Sequence, residues 1–324
     1  MSLLNLVWTL SLSLAAVSLL GLATIFIARP FRAIRDRRIA KARAGILQVL
    51  MDPNLSAHFL RRSIRRAAGL NALSPVLLEV TGMLRGEARS AFLQKVTEAG
   101  AARSLRICLR HGKPQDRQRA AEALAAFAPS ESEAALQLAW WDSHPAVRFA
   151  ALRASIEIGA PPAFSAIMDI TTHASPRERA QALVVIRLMS EKIPNAARKL
   201  LLVANVPTAA RVAIIDGLAA NLDQASLDAI VVVASDPARD IRAACVAAVV
   251  RRPGPASDAV IMHRLCDLEW TVRASAAMAA GKARLASARP LLRLLRHDEH
   301  WWVRLRASEA LRILAPTERA TDAA

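Results

Sequence analysis

The chain has 324 residues and a formal net charge of +17, and aromatic residues make up only 4% of it, without a tyrosine. Apolar content that rests on small and aliphatic residues favours helix-on-helix packing over a β-sandwich. The three cysteines, Cys108, Cys245 and Cys266, lack the number and spacing of a disulfide framework or a zinc site. They are interpreted as small apolar side chains in a reducing compartment, and no metal or other cofactor is expected.

The positive charge is concentrated towards the N-terminus. Residues 1–28 carry no charged side chain, residues 29–120 contain 20 Lys/Arg and 6 Asp/Glu (net +14), and residues 121–324 contain 24 and 21 (net +3). A repeat protein that binds nucleic acid should carry its charge along the whole binding surface. Nucleic acid is therefore not an expected partner.

The uncharged N-terminal segment predicts a transmembrane signal-anchor helix at residues 1–28. Its 27 consecutive uncharged residues, 2–28, exceed the roughly 20 that cross the hydrocarbon layer. A cleaved signal peptide would have a basic start and a small-residue cleavage site. Here no basic residue precedes the segment, and it ends at Arg29-Pro30. Its small and polar residues either contact another membrane protein or are tolerated in a single span.

Basic residues follow this segment at once, which predicts its orientation. The positive-inside rule places them in the cytoplasm, with the N-terminus outside a bacterial inner membrane. Residues 29–84 are expected to form basic juxtamembrane helices and an N-terminal cap. The basic residues either set the topology alone or also contact anionic lipid, at about 1 kcal/mol each. The lipid-facing candidates are Arg29, Arg32, Arg35, Arg37, Arg38, Arg61, Arg62, Arg65 and Arg66.

An arginine recurs every 31 or 32 residues from about residue 110, and a polar residue stands six positions before each copy. The arginines are Arg117, Arg148, Arg179, Arg211, Arg242, Arg273 and Arg304. Such a period is a strong signal of stacked structural repeats. A weaker copy is expected near Arg89. The pattern predicts an all-α array of seven or eight helical hairpins over residues 85–315, followed by a polar tail at 316–324.

One repeat shows how the recurring residues would act. Residues 225–234 and 241–250 are predicted helices, joined by a turn at Ser235-Asp236-Pro237. The aspartate can accept from free N–H groups where the second helix starts, and the arginine can reach the same aspartate or its copy in a neighbouring repeat. The predicted ladder, interrupted at His111, His173 and Asn205, comprises Asp142, Arg148, Arg179, Arg211, Asp236, Arg242, Asp267, Arg273, Asp298 and Arg304.

The Asp–Val/Ile–Arg turns, such as those at 142–148 and 236–242, and the Ala-rich second helices resemble HEAT repeats of the short bacterial type. The resemblance implies a right-handed α-solenoid that acts as a scaffold. In the last helix Arg306, Glu309 and Arg312 replace the uncharged Ser275, Met278 and Gly281 of the preceding repeat, as a terminal capping repeat requires.

The expected function is a membrane-anchored cytoplasmic scaffold for a soluble or integral membrane protein, first sought in a glycosyltransferase or envelope-assembly system. The candidate partner-binding residues are Trp270, Trp301, Trp302 and Trp141, which alternatively only fill the turns. Trp270 and Trp301 occupy equivalent repeat positions and should lie side by side. The alternatives are a HEAT-like enzyme of the bilin-lyase or DNA-repair type and a sensor of anionic lipid. Because the sequence lacks H-E-x-x-H, G-x-S-x-G and Gly-rich phosphate motifs, no catalytic residue is expected.

Overall fold

The structure, a computed structural model, describes the backbone of residues 3–52, 56–203 and 205–315. It describes their side chains except those of residues 3–7, 9–10, 21–33, 35, 49, 51 and 171–173. Throughout these ranges the regular elements are helices, in agreement with the predicted all-α class. The chain forms two compact units, residues 1–160 and residues 161–324.

The first unit begins with one long helix, α1 (Leu3–Met51), which continues without a break through the predicted boundary at residues 28 and 29. Over the part of the chain that the structure describes, no helix is both long and apolar enough to cross a membrane. Much of the predicted anchor lies outside the described residues, since these omit residues 1–2 and the side chains of 3–7, 9–10 and 21–28.

In the described part of the first unit, three helical hairpins and one extra helix follow α1. The first helices of the hairpins (α2, α5 and α7) pack in one row, and the second helices (α3, α6 and α8) pack in a parallel row. Helix α4 lies between the first two hairpins and contacts α1, α2 and α5. The bounds are α2 (Ala57–Gly69), α3 (Leu73–Met83), α4 (Gly86–Glu98), α5 (Ala101–His111), α6 (Pro114–Leu124), α7 (Pro129–Ala139) and α8 (Pro145–Glu157).

The residue pattern explains why the helices form two rows. In α5, Ala101, Leu105 and Leu109 recur at a spacing of four and are buried on one face, while the other face is basic. Helix α6 instead buries an alanine-rich surface, which lets neighbouring helix backbones approach closely. A proline at the first position of α6, α7 and α8 starts each helix, because its missing N–H is not needed there.

The hairpin array begins earlier than the sequence analysis predicts. Helix α2 packs on α5 and α3 on α6, so residues 57–83 form a hairpin of the array instead of an irregular cap. The weak repeat copy expected near Arg89 is the single helix α4. The turn between α2 and α3 is formed by Asn71, whose backbone φ is +54°. This hairpin therefore lacks the Asp–Arg signature from which the repeats are predicted.

Over its described residues the second unit forms five hairpins, and their second helices pack against one another in sequence order. Helices α13 and α14 lie within two residues of the spans predicted for this repeat. The bounds are α9 (Phe164–His173), α10 (Pro176–Lys192), α11 (Pro194–Leu201), α12 (Thr208–Leu218), α13 (Gln224–Val233), α14 (Arg239–Val249), α15 (Pro255–Arg264), α16 (Trp270–Lys282), α17 (Arg289–Leu295) and α18 (Trp301–Leu314). The predicted tail at 316–324 lies outside the described residues.

The division between the units falls inside the predicted array. Helix α8 ends at Glu157, and Gly159 adopts a left-handed conformation with φ +82°. A glycine in this conformation is a common helix terminator. Pro161 and Pro162 follow, and they lack the N–H groups that would continue a helix.

Candidate functional site

The recurring aspartates close the turns between the helices of a hairpin. Asp142 accepts from the N–H of His144 (2.8 Å), and Asp236 accepts from that of Ala238 (2.8 Å). Asp267 and Asp298 make the same bond to the residue two positions later, at 3.0 Å and 2.9 Å. In each case the donor is the residue that precedes the first turn of the second helix, so the carboxylate fixes where that helix begins.

Each paired arginine links two consecutive turns. Arg242 donates to Asp267 at 2.7 Å and 2.8 Å, and Arg273 donates to Asp298 at 2.7 Å and 3.0 Å. Arg242 also donates to the Asp236 carbonyl of its own turn at 3.1 Å. The arginine therefore reaches the aspartate of the next repeat, 25 residues on, instead of the one in its own turn.

Two further pairs extend this pattern, and the other three arginines have hydrogen bonds within their own turns. Arg117 pairs with Asp142 (2.7 Å) in the first unit, and Arg211 pairs with Asp236 (2.6 Å) in the second. The remaining three donate to a carbonyl of their own turn: Arg148 to Asp142 (3.0 Å), Arg179 to Ala174 (3.5 Å) and Arg304 to Asp298 (2.9 Å). Asn205 is exposed, and the side chain of His173 lies outside the described residues.

The electrostatics of the ladder indicate a structural role. Burial alone would raise the pKa of Asp267, but hydrogen bonds from Arg242, Arg264 and the Glu269 N–H outweigh it and lower the pKa to about 2. The pKa values of Asp142 and Asp298 are lowered by the same balance. Because each paired charge already has its counter-charge, these pairs are poorly suited to hold an external ligand.

The tryptophans at the end of the second unit form two separate stacks. Trp270 stacks on His300, with ring centroids 3.7 Å apart, and Trp301 stacks on Trp302 at 4.3 Å. His300 therefore occupies the place beside Trp270 that was predicted for Trp301. The Arg306 guanidinium lies over the Trp302 ring, 5.0 Å from its centroid, a geometry typical of a cation–π contact.

The accessibility of the tryptophans differs. Trp301 is exposed, whereas Trp270 and Trp302 are half-buried and line a shallow cavity of about 250 Å³. In the first unit Trp140 donates to the Ser155 hydroxyl at 2.9 Å and belongs to the packing, and Trp141 is exposed. Of the four candidates, Trp141 and Trp301 thus present the most free aromatic surface.

An exposed apolar residue recurs in the first helices, ten positions before the ladder arginine, and it is not among the residues predicted from the sequence. We call the four residues at this position the first-helix stripe, and each is between 56% and 70% exposed: Ile107, Leu138, Val232 and Leu294. Where the repeat spacing is 32, the exposed leucine is Leu202, nine positions before Arg211. The same position holds Asp169 and His263 in two other hairpins. Alignment on the arginines would have revealed the stripe.

Two residues of the stripe lie beside grooves between first helices of the first unit. The groove between α5 and α7, of about 540 Å³, is lined by Ile107 and Leu138 together with Arg103 and Arg110. A second groove of about 360 Å³, between α2 and α5, also contains Ile107. Here the stripe combines apolar contact area with a basic rim.

The basic residues near the N-terminus line another groove. Arg38 and Lys41 on α1 and Arg65 and Arg66 on α2 surround a cavity of about 460 Å³. Arg37, Arg61 and Arg62 are exposed. The side chains of Arg29, Arg32 and Arg35 lie outside the described residues.

Cys108 and Cys245 lack the lowered pKa of a reactive thiol. Burial raises the pKa of Cys245 to about 12 and also raises the pKa of Cys108, whereas a nucleophilic cysteine needs a lowered pKa. Among the residues that the structure describes, no three His, Cys, Asp or Glu side chains are grouped to hold a metal ion.

Within each unit, the rows of antiparallel hairpins have the architecture of an α-solenoid. A family model described as HEAT repeats matches residues 102–187, from α5 into α10. The fold and this match support a HEAT-repeat protein.

Solved structures with similar helical architecture include Kap121p (TM-score 0.44, 12% identity, 87% of this chain and 38% of that chain). Human deoxyhypusine hydroxylase matches with a TM-score of 0.35, 15% identity and coverage of 88% and 99%. The present chain spans about two fifths or less of the length of the Kap121p structures. No curated protein matches the sequence significantly.

Proposed function

We propose that the protein is a scaffold that binds a protein partner through the first-helix stripe. The observation that carries the proposal is the repeated apolar residue at an exposed position of the 31-residue register. Single exposed apolar residues are ordinary on protein surfaces. Their recurrence at one register position, where helix packing does not require them, favours a contact surface.

Site-specific photo-crosslinking tests this proposal. A benzophenone side chain placed at Ile107 or at Leu138 in the full chain should give the same adduct, of one defined mass, in cells. Met83 on α3 is the matched control, because it is apolar and 72% exposed but lies outside the stripe.

The result at Met83 decides the outcome. An adduct at both stripe positions and none at Met83 supports the proposal. Equal yields at all three positions, or none at the stripe, would show that the stripe has no partner. Leu138→Glu should also abolish the adduct formed at Ile107, because a charge in the groove between α5 and α7 opposes apolar contact.

The scaffold is further proposed to be held at a bacterial inner membrane by residues 1–28, with the N-terminus outside and the hairpins in the cytoplasm. Residues 2–28 are uncharged. Leu12, Leu14 and Leu20 are exposed and point to different sides of α1, since successive residues advance by ~100°. The basic residues that follow agree with this orientation.

The exposed tryptophans provide a second candidate contact surface. Trp141 follows Leu138 by three residues, so it would widen the stripe in the first unit. Trp301, with the half-buried Trp270 and Trp302, lies at the last described hairpin of the second unit. The proposed function is binding, and it assigns catalysis to none of these residues.

A further inference from the structure

We propose that the groove between α1 and α2 binds a phosphate-bearing anion through Arg38, Lys41, Arg65 and Arg66. Four cations from two helices line this groove of about 460 Å³, and its other lining residues, Ala42, Gly69 and Leu70, carry no charge. Among the residues that the structure describes, no carboxylate lines the groove. The proposal goes beyond protein binding by the first-helix stripe.

The absence of counter-charges distinguishes this groove from the arginine–aspartate ladder. Arg117, Arg242 and Arg273 each bind a carboxylate with two nitrogens. Within the described part of the chain, none of the four groove cations forms an ion pair, and the nearby Arg43 is paired with Glu79. Cations that converge without acids repel one another, and a bound anion relieves that repulsion.

The residue types favour phosphate over other anions. A guanidinium donates two parallel hydrogen bonds to a phosphate group, and a lysine adds a compact charge. Arg65 and Arg66 lie near the C-terminal end of α2, and Arg38 and Lys41 lie on the facing helix. A ligand with two or more negative oxygens can therefore contact both helices at once.

A lipid headgroup and a free phosphate compound share this chemistry, and only the lipid source rests on the proposed membrane anchor. Arg38 lies ten residues beyond the uncharged segment, which is ~15 Å along a helix. The headgroup layer extends only about 5–8 Å beyond the hydrocarbon. Side chains on a helix lean towards its N-terminus, here back towards the membrane. A large headgroup, or a tilted α1, brings the lipid phosphate within reach.

The test uses the full chain in neutral detergent and measures binding by calorimetry. Inorganic pyrophosphate is one probe, and mixed micelles that contain phosphatidylglycerol are the other. The variant Arg65→Gln/Arg66→Gln removes half of the groove charge. Arg61→Gln/Arg62→Gln is the matched control, since it removes the same charge from the same helix, one turn earlier and outside the groove lining.

Arg65→Gln/Arg66→Gln should weaken the binding of whichever probe binds the wild type by at least about tenfold. The control, Arg61→Gln/Arg62→Gln, should weaken it by less than about twofold. Lys41→Gln, on the other helix, should weaken it by about threefold and provides an independent test should the double variant fail to fold. Selective loss with pyrophosphate supports a soluble phosphate ligand, and selective loss with the micelles alone supports a lipid headgroup. Equal weakening in both double variants, or no binding of either probe, would overturn the proposal. The photo-crosslinking test at Leu138, which examines partner binding, does not depend on any of these outcomes.

Discussion

Asp267 closes the turn of its own hairpin and also receives the arginine of the preceding one. Its carboxylate accepts hydrogen bonds from the Glu269 N–H, Arg242 and Arg264, and it is buried. Burying a lone carboxylate is costly, so the residue is tolerated because all of these donors face it. A change at this one residue disturbs both the start of α16 and the contact between repeats.

Stability should depend on pH through Asp267. Its pKa is about 2 in the folded chain and about 3.9 when unfolded, so the ionised carboxylate stabilises the fold above about pH 4, by roughly 2 kcal/mol. That contribution is lost as the pH falls from about 4 towards 2. Asp267→Asn should therefore lower the free energy of unfolding most at neutral pH. The difference from wild type should shrink below pH 4 in urea titrations.

Asp228→Asn is the control for this series, because Asp228 is exposed on α13 and bonds only locally to Gln224. Its unfolding free energy should run parallel to that of the wild type over the same pH range. A deficit of Asp267→Asn that stays constant from pH 7 to pH 3 would show that ionisation of Asp267 is not its source.

At the scale of helices, the row of second helices depends on small residues at the contacts. A Cβ atom on Gly217 of α12 would lie 2.3 Å from the Arg187 carbonyl oxygen and 2.6 Å from the Ser190 Cβ, both on α10. In the same way, a Cβ on Gly281 of α16 would lie 3.0 Å from the Ala310 Cα on α18. These glycines allow backbone contact that no other residue permits.

Gly217→Ala and Gly82→Ala should change stability in opposite directions. Overpacking against α10 should make Gly217→Ala destabilising by about 1–3 kcal/mol, in spite of the better helix propensity of alanine. Gly82 lies in α3 with no other group within 4 Å of the added Cβ. Gly82→Ala should therefore stabilise by up to about 1 kcal/mol. Chemical denaturation of both variants checks the pair, and a neutral Gly217→Ala would contradict the close approach of α12 to α10.

At the scale of the whole molecule, charge and apolar surface divide the chain into regions with different tasks. The segment 1–28 is uncharged, residues 29–120 carry a net charge of +14, and residues 121–324 carry +3. The proposed anchor and the α1–α2 groove both lie at the N-terminal end, whereas the stripe occurs in both units. Membrane attachment and partner binding should therefore be separable by mutation.

Charges placed in the proposed span should release the protein from membranes. Each aspartate at the centre of a span costs about 2.5–3.5 kcal/mol on insertion scales. Leu14→Asp/Val17→Asp should move the full chain from the pellet to the supernatant after alkaline carbonate extraction, whereas the wild type should remain in the pellet. Ile107→Asp/Leu138→Asp, in the stripe, is the control and should stay in the pellet. Retention of both variants alike would rule out residues 1–28 as the anchor.

Features that depend on local chemistry could be predicted from the sequence. The period of 31 residues, the helices α13 and α14 and the aspartate turns follow from apolar spacing and from the way Asp and Pro act within a few residues. The hairpin α2/α3 was missed because its turn uses Asn71 and carries no Asp–Arg signature.

Only the tertiary structure decided which distant groups meet. The pairing of Arg242 with Asp267, the stack of Trp270 on His300 and the convergence of Arg38 with Arg65 each depend on the rotation between packed helices. A sequence period assigns each residue to a position in its repeat, but a shift of a few ångströms between helices decides which side chain lies within bonding distance of the next. The sequence thus determined the repeat and its ladder positions, while helix packing decided the partners of the ladder arginines, the exposed stripe and the basic groove.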